Sequence, residues 1–175
     1  MPGSVQEGKD LVKEFCIESD VRTVLDIGPG EGTYYYALQD TPVEILQGVE
    51  VWGPYIDDFN LKEKYNNIYI SNVYYLDWDK LDYHTWDMVI LGDIIEHLPR
   101  NQGEDVIRRA VDHSRYVVVS LPIYGYAQNV TMGNTYETHV EQYSDESIRE
   151  VLKEYEILES LKGEVVGVYI FTKRT

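Results

Sequence analysis

The stretch Val24-Leu-Asp26-Ile-Gly28-Pro-Gly30-Glu-Gly32-Thr33 decides how the rest of the chain is read. Val21 to Ile27 is rich in β-branched and aliphatic residues and reads as a buried strand. Three glycines at alternate positions end it, and the segment running on to about Leu38 reads as a helix. Glycine lets the backbone turn sharply and approach a ligand without a Cβ in the way. A turn that delivers free N–H groups at a helix N-terminus suits a carboxylate-bearing or otherwise anionic ligand group. Working outward, Glu44–Glu50 is a second strand, and it ends in Gly48-Val49-Glu50. A carboxylate there can grip the two hydroxyls of a ribose.

The same alternation continues to the end of the chain. Val5–Ser19 reads as a helix with Leu11, Val12, Phe15 and Cys16 on its apolar stripe. Pro54–Lys64 reads as a helix with proline in its first turn, and Asn67–Ser71 as a third strand. Trp86–Leu91 is a fourth strand, Asp105–His113 a helix, and Arg115–Leu121 an apolar fifth strand of the kind found at the centre of parallel sheets. Ser144 caps a helix whose first turn carries Asp145 and Glu146. Tyr155–Leu161 and Val165–Thr172 flank a tight turn at Lys162-Gly163, so these two strands run antiparallel. Seven strands interleaved with helices predict an α/β domain: a Rossmann-like, mostly parallel seven-stranded sheet, helices on both faces, and an antiparallel last pair. No repeat or linker divides the chain, and residues 1–175 are expected to form a single domain.

Composition narrows the function classes. Lys and Arg number 15 against 31 Asp and Glu, a formal charge of −16. A surface this acidic repels phosphate backbones and anionic lipid, which disfavours nucleic-acid and membrane partners. The single cysteine, Cys16, excludes an internal disulfide and a cysteine-rich zinc site. No apolar run reaches the length of a membrane span. Met1–Leu11 is polar and unlike a signal peptide, so a soluble, cytoplasmic protein is expected. With 16 tyrosines among 175 residues, the chain is rich in a side chain that lines pockets both apolar and hydrogen-bonding, though tyrosine is equally at home on plain surfaces.

Two nucleoside cofactors compete for the glycine turn. Dinucleotides are held by G-x-G-x-x-G, whereas this spacing is G-x-G-x-G, and the charge of Asp26 would repel a pyrophosphate. Asp26 is well placed to receive an ammonium instead. At this point the chain resembles the class I S-adenosylmethionine (SAM)-dependent methyltransferase family. The resemblance rests on Val24-Leu-Asp-Ile-Gly-Pro-Gly-Glu-Gly32, Gly48-Val-Glu50, Asp87-Met-Val-Ile-Leu-Gly-Asp-Ile-Ile-Glu-His-Leu98 and Tyr116-Val-Val-Val-Ser-Leu-Pro122, which occur in the family's order and spacing. It implies SAM as cofactor, with Gly28, Gly30 and Gly32 under its methionine part and Asp26 near its amino group. It further implies Glu50 on the ribose, Val51 or Trp52 over one face of adenine, and Asn72 and Val73 beside the adenine edge. Asn72 departs from the acidic residue common there, but its amide oxygen can still accept from the adenine amino group. Gly92 and Asp93 would border the methyl group and the acceptor.

Asp93, Glu96 and His97 stand at i, i+3 and i+4, on one face of any helical turn that Asp93 begins. Two readings stay open. In one, His97 or Asp93 is a general base, or the trio joins His139 around a divalent ion, as in the metal-dependent 2′-O-methyltransferases of small RNAs that look similar here. In the other, Asp93 caps a helix, Glu96 makes a surface hydrogen bond and His97 packs on the sheet. The expected catalytic residues are Asp93, His97 and His139, with no resident metal assigned. Loop 122–143, which includes Tyr124, Tyr126, Gln128, Asn129, Asn134, Tyr136, Glu137, His139 and Tyr143, is expected to be the acceptor lid, with helix 5–19 closing the other side. The expected activity is methyl transfer to oxygen or nitrogen of a small polar or aromatic molecule. The alternatives are an RNA 2′-O-methyltransferase with a metal and a SAM-binding module without catalysis. Oligomeric state is not legible.

Overall fold

A computed structural model describes residues 6–125 and 127–175, so Val5 and Tyr126 lie outside the described residues. Seven strands form one sheet: β1 (Thr23–Ile27), β2 (Ile45–Glu50), β3 (Asn67–Ile70), β4 (Trp86–Gly92), β5 (Ser114–Pro122), β6 (Tyr155–Lys162) and β7 (Val166–Lys173). Their order is β3-β2-β1-β4-β5-β7-β6. The first five are parallel, while β7 runs antiparallel to both β5 and β6. The expected architecture is therefore present, including the antiparallel last pair.

Alternation of side chains divides the core between the two faces of the sheet. Leu25, Ile27, Val89, Leu91, Val117 and Val119 point to one face, where α5 (Arg100–Asp112) buries Val106, Ile107, Ala110 and Val111 against them. Val24, Met88, Ile90 and Val118 point to the other face, beneath α1 (Lys9–Glu18) with its Val12, Phe15 and Cys16. Each fully buried aliphatic side chain contributes roughly 1.5–3 kcal/mol to this packing.

Several boundaries differ from the sequence reading, each for a local reason. Helix α1 starts at Lys9 because Gly8, at φ 80°, sits in a left-handed conformation that cannot extend it. The expected helix 54–64 is two short ones, α3 (Pro54–Asp58) and α4 (Leu61–Lys64), broken where Asn60 turns left-handed at φ 53°. Helix α2 is only Thr33–Ala37, and α5 begins five residues earlier than expected, directly after Pro99. The cap at Ser144 is present as a reciprocal pair: Ser147 N–H donates to Ser144 Oγ, and Ser144 N–H donates to Ser147 Oγ, opening α6 (Asp145–Val151).

Candidate functional site

Register places the site. Ile27 lies opposite Val49 on one side and Leu91 on the other, so Gly28, Glu50 and Gly92 leave the sheet at one level. Strand order reverses between β1 and β4, which opens a crevice beyond their carboxyl ends. A cavity of about 430 Å³ occupies that crevice, and Gly28, Gly30, Glu50, Val51, Gly92 and Asp93 line it. A smaller recess of about 80 Å³ adjoins it, walled by Val51, Asn72, Val73 and Tyr136.

The glycine turn is left-handed at Gly28 (φ 70°), Gly30 (φ 53°) and Gly32 (φ 89°). A Cβ at Gly28 would stand 2.2 Å from Ile94 Cδ1, so that side chain would have to shift to admit one. Beneath the turn, Asp26 is only 1% exposed. Its Oδ2 accepts from Tyr65 OH at 2.6 Å, while Oδ1 has no partner. Burial pushes its pKa up to about 6, against the pull of Tyr65 and Lys9.

Glu50 is 3% exposed and accepts from Trp52 N at 2.7 Å. Burial pushes its pKa up to about 7, and the N–H groups of Trp52, Gly30 and Val51 hold it lower than burial alone would. Val51 lines the cavity and the recess, whereas Trp52 is not part of either wall. Gly32 likewise serves as the N-cap of α2 and stays out of the cavity wall. Asn72 reaches the recess, but its Oδ1 already accepts from Tyr74 N at 2.9 Å. The amide therefore offers one lone pair and its NH₂ to a ligand.

The Asp93–His97 segment is not the helical turn expected. Asp93 is left-handed at φ 55°, and a 3-10 turn follows at Ile95–His97. Asp93 makes no helix cap, and its Oδ1 is buried without a partner. Glu96 is not on the surface: it is 2% exposed, with neither carboxylate oxygen hydrogen-bonded. Burial, reinforced by Asp93, raises its pKa well above the usual carboxylate range. His97 Nδ1 lies 3.2 Å from the Thr138 carbonyl. A carbonyl only accepts, so this contact puts the proton on Nδ1 and leaves Nε2 as an acceptor. Burial lowers the His97 pKa, which keeps the ring neutral at pH 7. The His139 ring meets it edge-on at 4.8 Å. Glu96, His97 and His139 each offer a donor atom, and the three lie within 4.8 Å of one another.

From the segment 122–143, Pro122, Gln128, Asn134, Tyr136, Glu137 and His139 line this cavity. Glu137 holds the segment together: Gln128 Nε2 donates to Oε2 at 2.9 Å, and Tyr55 OH to Oε1 at 3.2 Å. Tyr55 belongs to α3, so one carboxylate fastens the loop to the element that follows Glu50.

Sequence reasoning gave Tyr55, Tyr65 and Lys9 no role. Lys9 is 3% exposed, donates to Tyr34 OH at 3.2 Å, and interacts electrostatically with Asp93 and Asp26. Its spacing to Val12 and Cys16, i+3 and i+7, is the signal that would have placed it on the buried face of α1.

No model of a known protein family matches the chain, and no curated protein matches it significantly. Solved structures do. A SAM-dependent methyltransferase from Clostridium acetobutylicum superposes with a TM-score of 0.70 at 13% identity, covering 95% of this chain and 91% of its own. The methyltransferase domain of a bacterial Hen1 gives 0.72 at 18%, covering 97% and 98%. The magnesium protoporphyrin IX methyltransferase of Synechocystis, solved with SAM bound, gives 0.69 at 14%, covering 97% and 79%. The fold is that of the class I SAM-dependent methyltransferases. In this methyltransferase fold the glycine turn, Glu50 and the 93–97 segment converge on one crevice, as the spacing of their motifs implies.

Proposed function

We propose that the protein transfers a methyl group from SAM to oxygen or nitrogen of a small polar or aromatic acceptor. One observation carries this reading: the glycine turn after β1 and the buried Glu50 carboxylate after β2 face the same cavity at one level of the sheet. The residues fit such a cofactor by their unmet valences. Asp93 Oδ1 is a buried acceptor without a donor on a residue of the cavity wall, where an ammonium would satisfy it, and Asp26 Oδ1, also without a donor, lies beneath the glycine turn and outside the wall. Glu50 would accept from the ribose hydroxyls, Val51 would cover the adenine, and Asn72 and Val73 would meet its edge. Residues 1–175 are read as one such domain, with 122–143 as its lid.

SAM held by Glu50, Val51, Asn72 and Val73 would supply an electrophilic methyl carbon and a neutral thioether as leaving group. The chain's own task is alignment and proton removal. His97 is suited to the second part, because Thr138 fixes its tautomer and Nε2 remains basic. His139 stands beside it, and Asp93 lines the same cavity, where it would border the methyl end. Titration calorimetry with S-adenosylhomocysteine tests the reading. Binding that Glu50→Ala weakens supports it, and absence of binding ends it.

The convergence of Glu96, His97 and His139 favours a second reading, in which a divalent ion held by these three assists O-methylation, RNA 2′-hydroxyls included. Such an ion would polarise the acceptor hydroxyl in place of a general base. Activity that is abolished by chelation and restored by Mg²⁺ or Mn²⁺ decides for it.

A further inference from the structure

The wall of the main cavity, among the described residues, contains no lysine and no arginine. It contains four carboxylates instead: Glu50, Asp93, Glu96 and Glu137. The adjoining recess also lacks a cationic side chain among its described residues, His97 aside. A phosphate or carboxylate on the acceptor would meet no lysine or arginine among the described residues of this wall. Where one of these carboxyls is ionised, a like charge at about 4 Å costs roughly 4 kcal/mol at an effective dielectric near 20. Sites that take phosphorylated ligands supply arginine, lysine or a helix N-terminus for that group.

Hydrogen-bonding capacity is abundant. Glu96 is almost fully buried and presents two unpartnered oxygens in the wall. The amides of Gln128 and Asn134 stand in the same wall, with Gln128 Nε2 donating to Glu137 and Asn134 Oδ1 accepting from Tyr136 N, and the half-exposed Tyr136 ring, Pro122 and Val166 supply apolar surface. Glu137 already accepts from Gln128 and Tyr55, so it is not a carboxylate waiting for an ammonium. A flat aromatic acceptor would leave the Glu96 oxygens unpaired, at a cost of about 1–3 kcal/mol. A ring with hydroxyls at its edge and C–H groups on its faces satisfies both kinds of wall.

We propose that the acceptor subsite binds an uncharged, polyhydroxylated ring, a neutral saccharide, and excludes its phosphorylated counterparts. This rests on the methyltransferase reading and names its acceptor class. The test is saturation-transfer NMR on the full chain with S-adenosylhomocysteine present. The probes are the methyl glycosides of neutral hexoses and 6-deoxyhexoses, glucose 6-phosphate, tyramine, catechol and a short RNA. The expected result is transfer to at least one neutral glycoside, with glucose 6-phosphate weaker by about tenfold, equivalent to about 1.4 kcal/mol. Gln128→Arg, which adds a cation to the wall, is expected to narrow that gap, and the wild-type comparison stands without it. Transfer that is equal or stronger for the phosphate, or that is confined to the amine, the catechol or the RNA, overturns the assignment. So does silence from every glycoside. Calorimetry on the same sample separates the two failures: if S-adenosylhomocysteine binds and no glycoside does, only the acceptor class falls, and if it does not bind, the methyltransferase reading falls first.

Discussion

Glu50 offers the sharpest quantitative handle on the site. Its pKa is pushed up to about 7 by burial, so in the empty protein about nine carboxyls in ten are protonated at pH 6. A ribose diol held by two accepted hydrogen bonds needs the ionised form. If only that form binds, the apparent dissociation constant scales inversely with the ionised fraction. Binding of S-adenosylhomocysteine should therefore tighten about tenfold between pH 6 and pH 8. Asp26, raised to about 6, adds a smaller trend in the same direction, so the informative quantity is the difference from a variant. Glu50→Gln keeps the shape and removes the titration, and its binding should be nearly flat over the upper half of that range. Glu50→Ala should weaken binding at pH 8 by about 1–3 kcal/mol, or about 5- to 150-fold. Stability should move the opposite way. The folded protein holds a proton on Glu50 that the unfolded chain gives up near 4.5, so the empty protein loses stability as pH rises from about 4.5 to 7, by up to roughly 3 kcal/mol. Calorimetry and thermal melts at pH 6, 7 and 8 read both effects. Parallel pH profiles for wild type and Glu50→Gln would refute the assignment of the ribose to this carboxylate.

Gly28→Ala is expected to cost about 1–2 kcal/mol in urea denaturation, from its left-handed φ and the clash with Ile94, and to weaken S-adenosylhomocysteine. Gly133→Ala, left-handed at φ 78° but with open space around its Cβ, should cost only the conformational part and leave binding intact. His97→Gln should lower methyl transfer by about 10²–10⁴-fold with cofactor affinity unchanged; equal losses in both would show that the ring merely supports the fold. Chelation should leave transfer unchanged under the general-base reading, and a loss restored by Mg²⁺ or Mn²⁺ would transfer Glu96, His97 and His139 to metal binding. Lys9→Met should destabilise the empty protein by about 3 kcal/mol, read by urea denaturation at pH 8, since it strands the buried Asp26 and the partly buried Asp93; a neutral effect would mean that Lys9 does not balance them.

The fold was legible because each strand carries its own signal. The largely aliphatic runs at 24–27, interrupted by Asp26, at 88–91 and at 116–121, interrupted by Ser120, are buried, and the glycines after the first fix where the chain turns. Motif spacing then placed Gly28, Glu50 and Gly92 together, because parallel register carries each strand end to the same level. What failed was local backbone geometry. Asn60 and Asp93 adopt left-handed conformations that no periodicity announces, so one helix broke in two and the expected turn at 93–97 became a 3-10 segment. Burial of charge was also hidden. Glu96 in Ile-Ile-Glu-His-Leu looks like a surface residue, and only tertiary packing shows it enclosed. Lys9 and Asp26 are far apart in sequence and meet because α1 and the even-numbered side chains of β1 share one face of the sheet.

That meeting explains why the site can exist before any ligand arrives. Asp26, Glu50 and Glu96 are buried around the crevice, with Asp93 at its wall, and buried carboxylates are costly unless they are paired or protonated. The protein uses both remedies. Lys9 interacts electrostatically with Asp26 and Asp93 as a buried cation whose own pKa burial lowers, while Glu50 and Glu96 are raised toward their neutral forms. The balance is incomplete, since Asp26 Oδ1, Asp93 Oδ1 and both Glu96 oxygens remain without donors. Closing it with a second lysine would neutralise the crevice and remove its preference for a cationic ligand. A sulfonium compound that also carries an ammonium brings the positive charge and the donors that the crevice lacks, and an uncharged hydroxylated acceptor adds donors without adding repulsion. The missing hydrogen bonds are thus the feature that couples stability to occupancy: filling the crevice should stabilise the fold most at the alkaline end, where the empty protein carries the largest uncompensated charge.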